Sequence, residues 1–214
     1  MKKIVSMFLV CVLMAASFSV YANDNAAELK KYGIMKGDPD GNVRLADKLT
    51  RAEAVTLLVR MYGFIPETSV AVPANVFSDM ETHWACNAAM IAKNLRITDV
   101  EDGAAFNPGK EILAEEFIKM IIELLGYGET AKNKGGGTTG YIMQASQLGI
   151  TKEIPMIIDK PVTRGDAVGL LCNSLDVPIM VMTTFSFGGE NEYAVLDGKN
   201  GAEYRTLRTM LESK

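Results

Sequence analysis

The sequence predicts an all-α chain of three helix-loop-helix units with a short C-terminal β-hairpin tail, and three observations lead there. Residues 48–63, KLTRAEAVTLLVRMYG, and residues 161–176, PVTRGDAVGLLCNSLD, repeat one phrase of Thr, Arg, small residue and acid ahead of an apolar run. Between them residues 111–126, EILAEEFIKMIIELLG, keep the apolar rhythm without the Thr-Arg. Upstream of each phrase an isoleucine stands at a helix exit, Ile34, Ile97 and Ile150, followed by a turn-rich loop. Helical units of this size cannot bury their own apolar faces, so they pack on one another as one assembly.

The chain opens with two lysines, an apolar run from Ile4 to Ala16, and Val20 and Ala22 at the −3 and −1 positions of a cut. This is the pattern of a secretory signal peptide over 1–22, with the mature chain starting at Asn23 and no membrane span left after cleavage. The repeat pattern then marks units at 23–64, a truncated first copy, 74–128 and 129–178, and leaves a tail at 179–214.

In the first unit Asp38-Pro39-Asp40-Gly41-Asn42 reads as a turn with Gly41 at positive φ, because a calcium loop would need further spaced ligands. Thr50 followed by Glu53 forms a capping box, in which the hydroxyl accepts the Glu53 amide and the carboxylate accepts the Thr50 amide. Leu57, Leu58 and Met61 follow Ala54 on one face, and Gly63 supplies the positive φ of a helix end. The middle phrase has Leu113 in place of the threonine and Glu116 in place of Glu53, so reciprocal capping is lost at a cost of about 1 kcal/mol. Burial of Phe117, Met120, Ile121 and Leu124 offsets that loss several-fold. Thr163 and Asp166 imitate the box with a shorter acid, and Val168, Leu171, Cys172 and Leu175 continue the stripe. The glycine run at 135–137 reads as a break in helix. Ile179 to Phe187 and Glu192 to Leu196 alternate around a Gly188-Gly189 turn, giving the hairpin, with a further helix or strand near Tyr204 to Leu211.

Composition narrows the function. The chain carries 22 basic and 26 acidic residues, a net charge of −4, and loses Lys2 and Lys3 with the leader. An acidic exported chain without a basic cluster does not suit nucleic acid. Cys86 and Cys172 remain after cleavage, both within apolar helical patterns and open to either free-thiol or disulfide states. With one histidine, His83, no Cys/His metal spacing exists. Glu115 and Glu116 face different directions on a helix and make no acid/base pair, and the Gly-rich stretch lacks a phosphate loop's lysine. The reading is a non-enzymatic chain with no cofactor and no metal.

The segment VFSDMETHWACNAAMIAKNLRI at 76–97, GIMKGDPDGNV at 33–43 and the two Thr-Arg phrases together resemble S-layer homology repeats over residues 24–178. The resemblance implies three repeats in a pseudo-threefold bundle. It also implies grooves that bind a pyruvylated secondary cell-wall polysaccharide non-covalently, on the outside of the cell. Arg51 and Arg164, at helix N-termini, are the implied receivers of the pyruvyl carboxylate. Asp79 and Trp84 complete the implied glycan-binding set. Each also has a plainer reading: the arginines as solvated first-turn residues, Asp79 as a cap of the helix opening near His83, and Trp84 as a packing anchor. The repeats depart from the pattern. The first lacks the Phe-Ser-Asp and Trp segment, the second lacks Thr-Arg, and the third has glycines where Trp84 aligns. The competing function is therefore a degenerate bundle that serves as a structural or protein-interaction module, with other surface proteins as partners.

Overall fold

A computed structural model describes residues 23–67, 76–155, 157–187, 190–199 and 201–214. The expected signal peptide at 1–22 and the expected Gly188-Gly189 turn lie outside the described residues. Among the described residues the fold is helix-rich with one small antiparallel sheet. Helix α1 covers residues 23–31. It is followed by α2 (Arg51–Met61), α3 (Cys86–Asn94), α4 (Ala114–Leu124), α5 (Gly128–Asn133), α6 (Gly137–Gln147), α7 (Arg164–Ser174), β1 (Met180–Thr184), β2 (Glu192–Val195) and α8 (Leu207–Glu212).

Local chemistry sets the ends of these helices. Thr50 caps α2 with its side chain on the Glu53 amide, while Glu53 Oε2 accepts the Thr50 amide at 3.0 Å. Thr163 caps α7 through the Asp166 amide at 3.0 Å. At α4, Leu113 has no acceptor to offer, yet Glu116 Oε2 still accepts the Leu113 amide at 3.2 Å, so half of the reciprocal cap survives. The exit isoleucines share one motif: the amides of Ile34, Ile97 and Ile150 donate to Leu29, Ala92 and Ala145, each five residues back, at 3.0, 2.9 and 2.9 Å. The residue before each, Gly33, Arg96 or Gly149, has positive φ, which is the geometry of a Schellman end with its apolar plug. All three isoleucines are buried.

The three phrases meet in a closed triangle of backbone hydrogen bonds. Leu49 N–H donates to Val162 O at 3.0 Å, Val162 N–H to Ile112 O at 3.0 Å, and Ile112 N–H to Leu49 O at 2.9 Å. Bridges Lys48↔Thr163, Thr50↔Glu111 and Leu113↔Pro161 complete it. Single-residue bridges are weak alone; here each holds a buried side chain, Leu49, Ile112 or Val162, over the N-termini of α2, α4 and α7. Those helices supply much of the core, including Leu58, Phe117, Ile121, Val168 and Leu171.

The glycine run differs from its expectation. Gly136 (φ 62°) breaks the chain after α5, but α6 already begins at Gly137. The reason is a buried stripe downstream, Tyr141, Gln144 and Ala145. Gly140 is needed there because a Cβ would lie 2.2 Å from Ala131 O. The tail forms the expected hairpin, with Met180 opposite Val195 and Met182 opposite Tyr193. It is fastened to the helices by Met180 N–H on Leu125 O at 2.9 Å and by the Tyr127 hydroxyl on Pro178 O at 2.8 Å. Arg208 of α8 binds Asp176 at 2.6 Å and reaches Glu28 of α1, so the last helix is tied to the first.

Candidate functional site at the ring of helix N-termini

The hydrogen-bonded triangle places the first residue of α2, α4 and α7 in equivalent surroundings. The Arg51 amide donates to Lys110 O, the Ala114 amide to Lys160 O and the Arg164 amide to Asp47 O, at 2.9, 3.0 and 2.8 Å. At two junctions an arginine side chain then crosses to the neighbouring segment. Arg164 Nε donates to Val43 O at 2.8 Å and Nη1 to Glu53 Oε1 at 2.8 Å. Arg51 Nε donates to Phe106 O at 3.0 Å and Nη1 to Glu116 Oε1 at 3.1 Å. Each cap glutamate serves two purposes: one oxygen closes its own helix start and the other receives the neighbour's guanidinium.

The first-turn arginines are therefore not solvated, since their side chains are 11% (Arg51) and 10% (Arg164) exposed. Their Nη2 groups make no hydrogen bond to described residues. Asp79 caps no helix, because α3 starts at Cys86 with no side-chain cap. Its two oxygens instead accept the amides of Phe106 and Asn107 at 2.7 and 2.8 Å, which fixes the Phe106 carbonyl that Arg51 uses. The Arg51 guanidinium also lies over the Phe106 ring, 5.2 Å from its centroid. Asp79 and Arg51 thus belong to one arrangement around the Phe106 peptide.

Trp84 is 65% exposed, which removes the packing-anchor reading. Its ring contact is with His83 at 5.4 Å, while His83 Nδ1 accepts the Ala85 amide at 3.1 Å. No hydrogen bond or ring contact among the described residues joins Trp84 to either arginine.

At the third junction Ala114 stands where the other two have arginine, and Asp166 stands where they have the receiving glutamate. A cleft of about 500 Å³ opens there, lined by Lys48, Glu111, Ala114, Lys160, Thr163 and Asp166 among others. The Asp166 carboxylate keeps the Thr163 hydroxyl at 2.6 Å. Lys48 and Lys160 are exposed and form no ion pair with described residues. This cleft was missed in the sequence, although the missing Thr-Arg at 113–114 was its signal.

The S-layer homology domain family model matches residues 17–55, a stretch that runs from before the described residues through the Thr50 cap and Arg51. Relatives share the pattern more widely. The middle cell wall protein of Brevibacillus brevis is 29% identical over 158 residues, covering 73% of this chain and 15% of that protein. Residues 17–55 thus resemble an S-layer homology domain. The surface layer protein of Brevibacillus choshinensis is 27% identical over 127 residues, 59% of this chain and 11% of its own. Cell surface glycoprotein 1 of Acetivibrio thermocellus is 30% identical over 92 residues, 42% of this chain and 4% of its own. The chain thus spans between 4% and 15% of the length of these relatives. Among the described residues no helix is long and apolar enough to cross a membrane, and no group of three or more His, Cys, Asp and Glu side chains is placed to hold a metal.

Proposed function

We propose that this S-layer homology chain is a cell-surface anchoring protein whose three units, in pseudo-threefold arrangement, hold an anionic, pyruvylated wall polysaccharide without covalent attachment. The S-layer homology match and the wall and surface-layer relatives support the cellular place. The observation that carries the binding reading is the unequal ring: two junctions are braced by arginines, and the third is an open cleft whose walls carry two lysines that form no ion pair with described residues.

A ketal-linked pyruvate is a small carboxylate on a sugar. Lys48 and Lys160 meet its charge at the open junction, and the helix N-termini around the triangle favour it further. Arg51 and Arg164 keep the ring in register and present their Nη2 groups as hydrogen-bond donors to the polymer. Asp79 holds the Arg51 junction in shape, and exposed Trp84 offers an aromatic face to a sugar ring. One observation favours the second reading, an interaction module: each arginine already has a carboxylate partner within the chain.

Sedimentation of the chain with purified walls separates the readings. Arg51→Lys, Arg164→Lys and the Lys48→Gln/Lys160→Gln pair are each expected to lower the bound fraction, because an ammonium lacks the guanidinium fork and an amide lacks charge. Wild-type sedimentation by all of them, with melting curves showing an intact fold, would overturn glycan capture at the ring and leave the interaction module in its place.

A further inference from the structure

The C-terminal hairpin carries an apolar face that the helices leave open. At its base Met180 is held on the bundle, with its amide on Leu125 O at 2.9 Å and the Thr130 hydroxyl on its sulfur at 3.5 Å. Alternation places Met182 and its cross-strand partner Tyr193 on the same face as Met180. Continued alternation would put Thr184 and Ser186 there as well. Between Met182 and Thr184, however, the register slips, so that Thr183 and Thr184 together stand opposite Glu192. One extra residue of this kind reverses the phase of the strand and brings Phe185 and Phe187 onto the face of Met182 and Tyr193. The two phenylalanine rings meet edge to face with centroids 6.3 Å apart, and they are 67% and 99% exposed.

Area and charge indicate what covers this face. With Met182 and Tyr193 also exposed, the four side chains offer about 500 Å² per copy, toward the upper end of apolar patches on monomers. Two such faces, with the main chain between them, bury more than about 1,000 Å², which is the size a specific interface needs. Residues 179–187 carry no charge, and Lys132, which shares a cleft with Tyr193, is already paired with Glu129 at 2.7 Å. A strongly charged partner therefore finds no complement here. Glu190 is exposed near the hairpin tip and Glu192 accepts the Thr184 hydroxyl at 2.9 Å, so an anionic lipid surface is repelled. A second copy meets neither objection when the two hairpins lie antiparallel, because their acidic tips then point apart. The run from Ile179 to Phe187 also has no proline, glycine or lysine, a composition that favours pairing with its own kind.

We propose that two copies of this chain pair through this face about a twofold axis, with Phe185 and Phe187 of each copy packed on Met182 and Tyr193 of the other. The pairing does not depend on the polysaccharide reading. Where that reading holds, it joins two rings in one particle and adds avidity.

Analytical ultracentrifugation of the chain over a micromolar concentration series tests it. A monomer–dimer equilibrium is expected, unchanged or strengthened by added salt, since the contact is apolar and screening relieves the repulsion of two acidic chains. Phe185→Ser/Phe187→Ser is expected to weaken the dimer about tenfold or more, whereas Phe185→Leu/Phe187→Leu, which keeps most of the apolar area, should retain it. Ile65→Ser, which removes an exposed apolar side chain elsewhere, should leave it unchanged. Melting curves of the variants check that the fold is kept. A monomer at every concentration, association that survives the serine pair, equal weakening by Ile65→Ser, or growth beyond the dimer into open-ended oligomers would each overturn the proposal.

Discussion

Arg164→Ala is the sharpest test of how the ring is held. The arginine makes two charge-assisted hydrogen bonds at 2.8 Å, to Val43 O and Glu53 Oε1, and is 8% exposed. Each such bond contributes about 1.5–3 kcal/mol. The carboxylate left behind is not orphaned, because Glu53 keeps the Thr50 amide and hydroxyl at 3.0 and 3.1 Å. The loss should therefore fall short of the full cost of breaking a buried pair, at about 2–4 kcal/mol. In a chain of this size that lowers Tm by roughly 5–15 °C. Arg51→Ala should cost less, since its bonds are 3.0 and 3.1 Å and its partner Glu116 is 32% exposed. Urea unfolding of Arg164→Ala, Glu53→Gln and the double variant should give a coupling energy of about 1–2 kcal/mol at constant m-value. Additive effects, or an Arg164→Ala cost below about 0.5 kcal/mol, would show a solvated arginine and refute the brace.

Other expectations follow from the same contacts. Thr50→Ala removes the acceptor of the Glu53 amide and should cost about 1 kcal/mol, whereas Leu113→Thr restores the missing half of the α4 cap and should be neutral or stabilising, both read from urea midpoints. Ala114→Arg should fill the open junction and raise stability by at most about 1 kcal/mol, since Asp166 is one methylene shorter than the glutamates. Burial raises the Cys172 thiol to about 12 from an ordinary 9.0. The neutral form is therefore favoured in the folded chain, and this contribution is present below pH 9 and lost as pH rises toward 12. Thiol-reagent kinetics at pH 8 should show Cys172 much slower folded than in urea, and equal rates would contradict its placement. Trp84→Ala should leave Tm unchanged, given its exposure, while lowering wall binding; a large fall in Tm would restore the packing role.

What could be read from the sequence was what is local to it. Thr50 and Thr163 specify helix starts, Gly63 and the exit isoleucines specify helix ends, and the alternation after Pro178 specifies a hairpin, because each depends on residues within a few positions. The arginine partners were not legible in this way: Arg164 and Glu53 are 111 residues apart, and Arg51 and Glu116 are 65 apart. The repeat held a clue, since an arginine at the first helical position and an acid two residues later, written more than once, can link head to tail around a ring. Asp79 looked like a helix cap because an acid ahead of a helix often is one, and only tertiary structure brings the Phe106 and Asn107 amides to it. The glycines at 135–137 signalled a break but not where the next helix would start, since that was set by burial of Tyr141 and Gln144.

The most direct measurement of the anchoring claim is the bound fraction of the chain with purified cell walls, before and after removal of pyruvyl groups from their polysaccharide. The account predicts sedimentation with intact walls and its loss on depyruvylated walls. Equal sedimentation with both, or none with either, would contradict it.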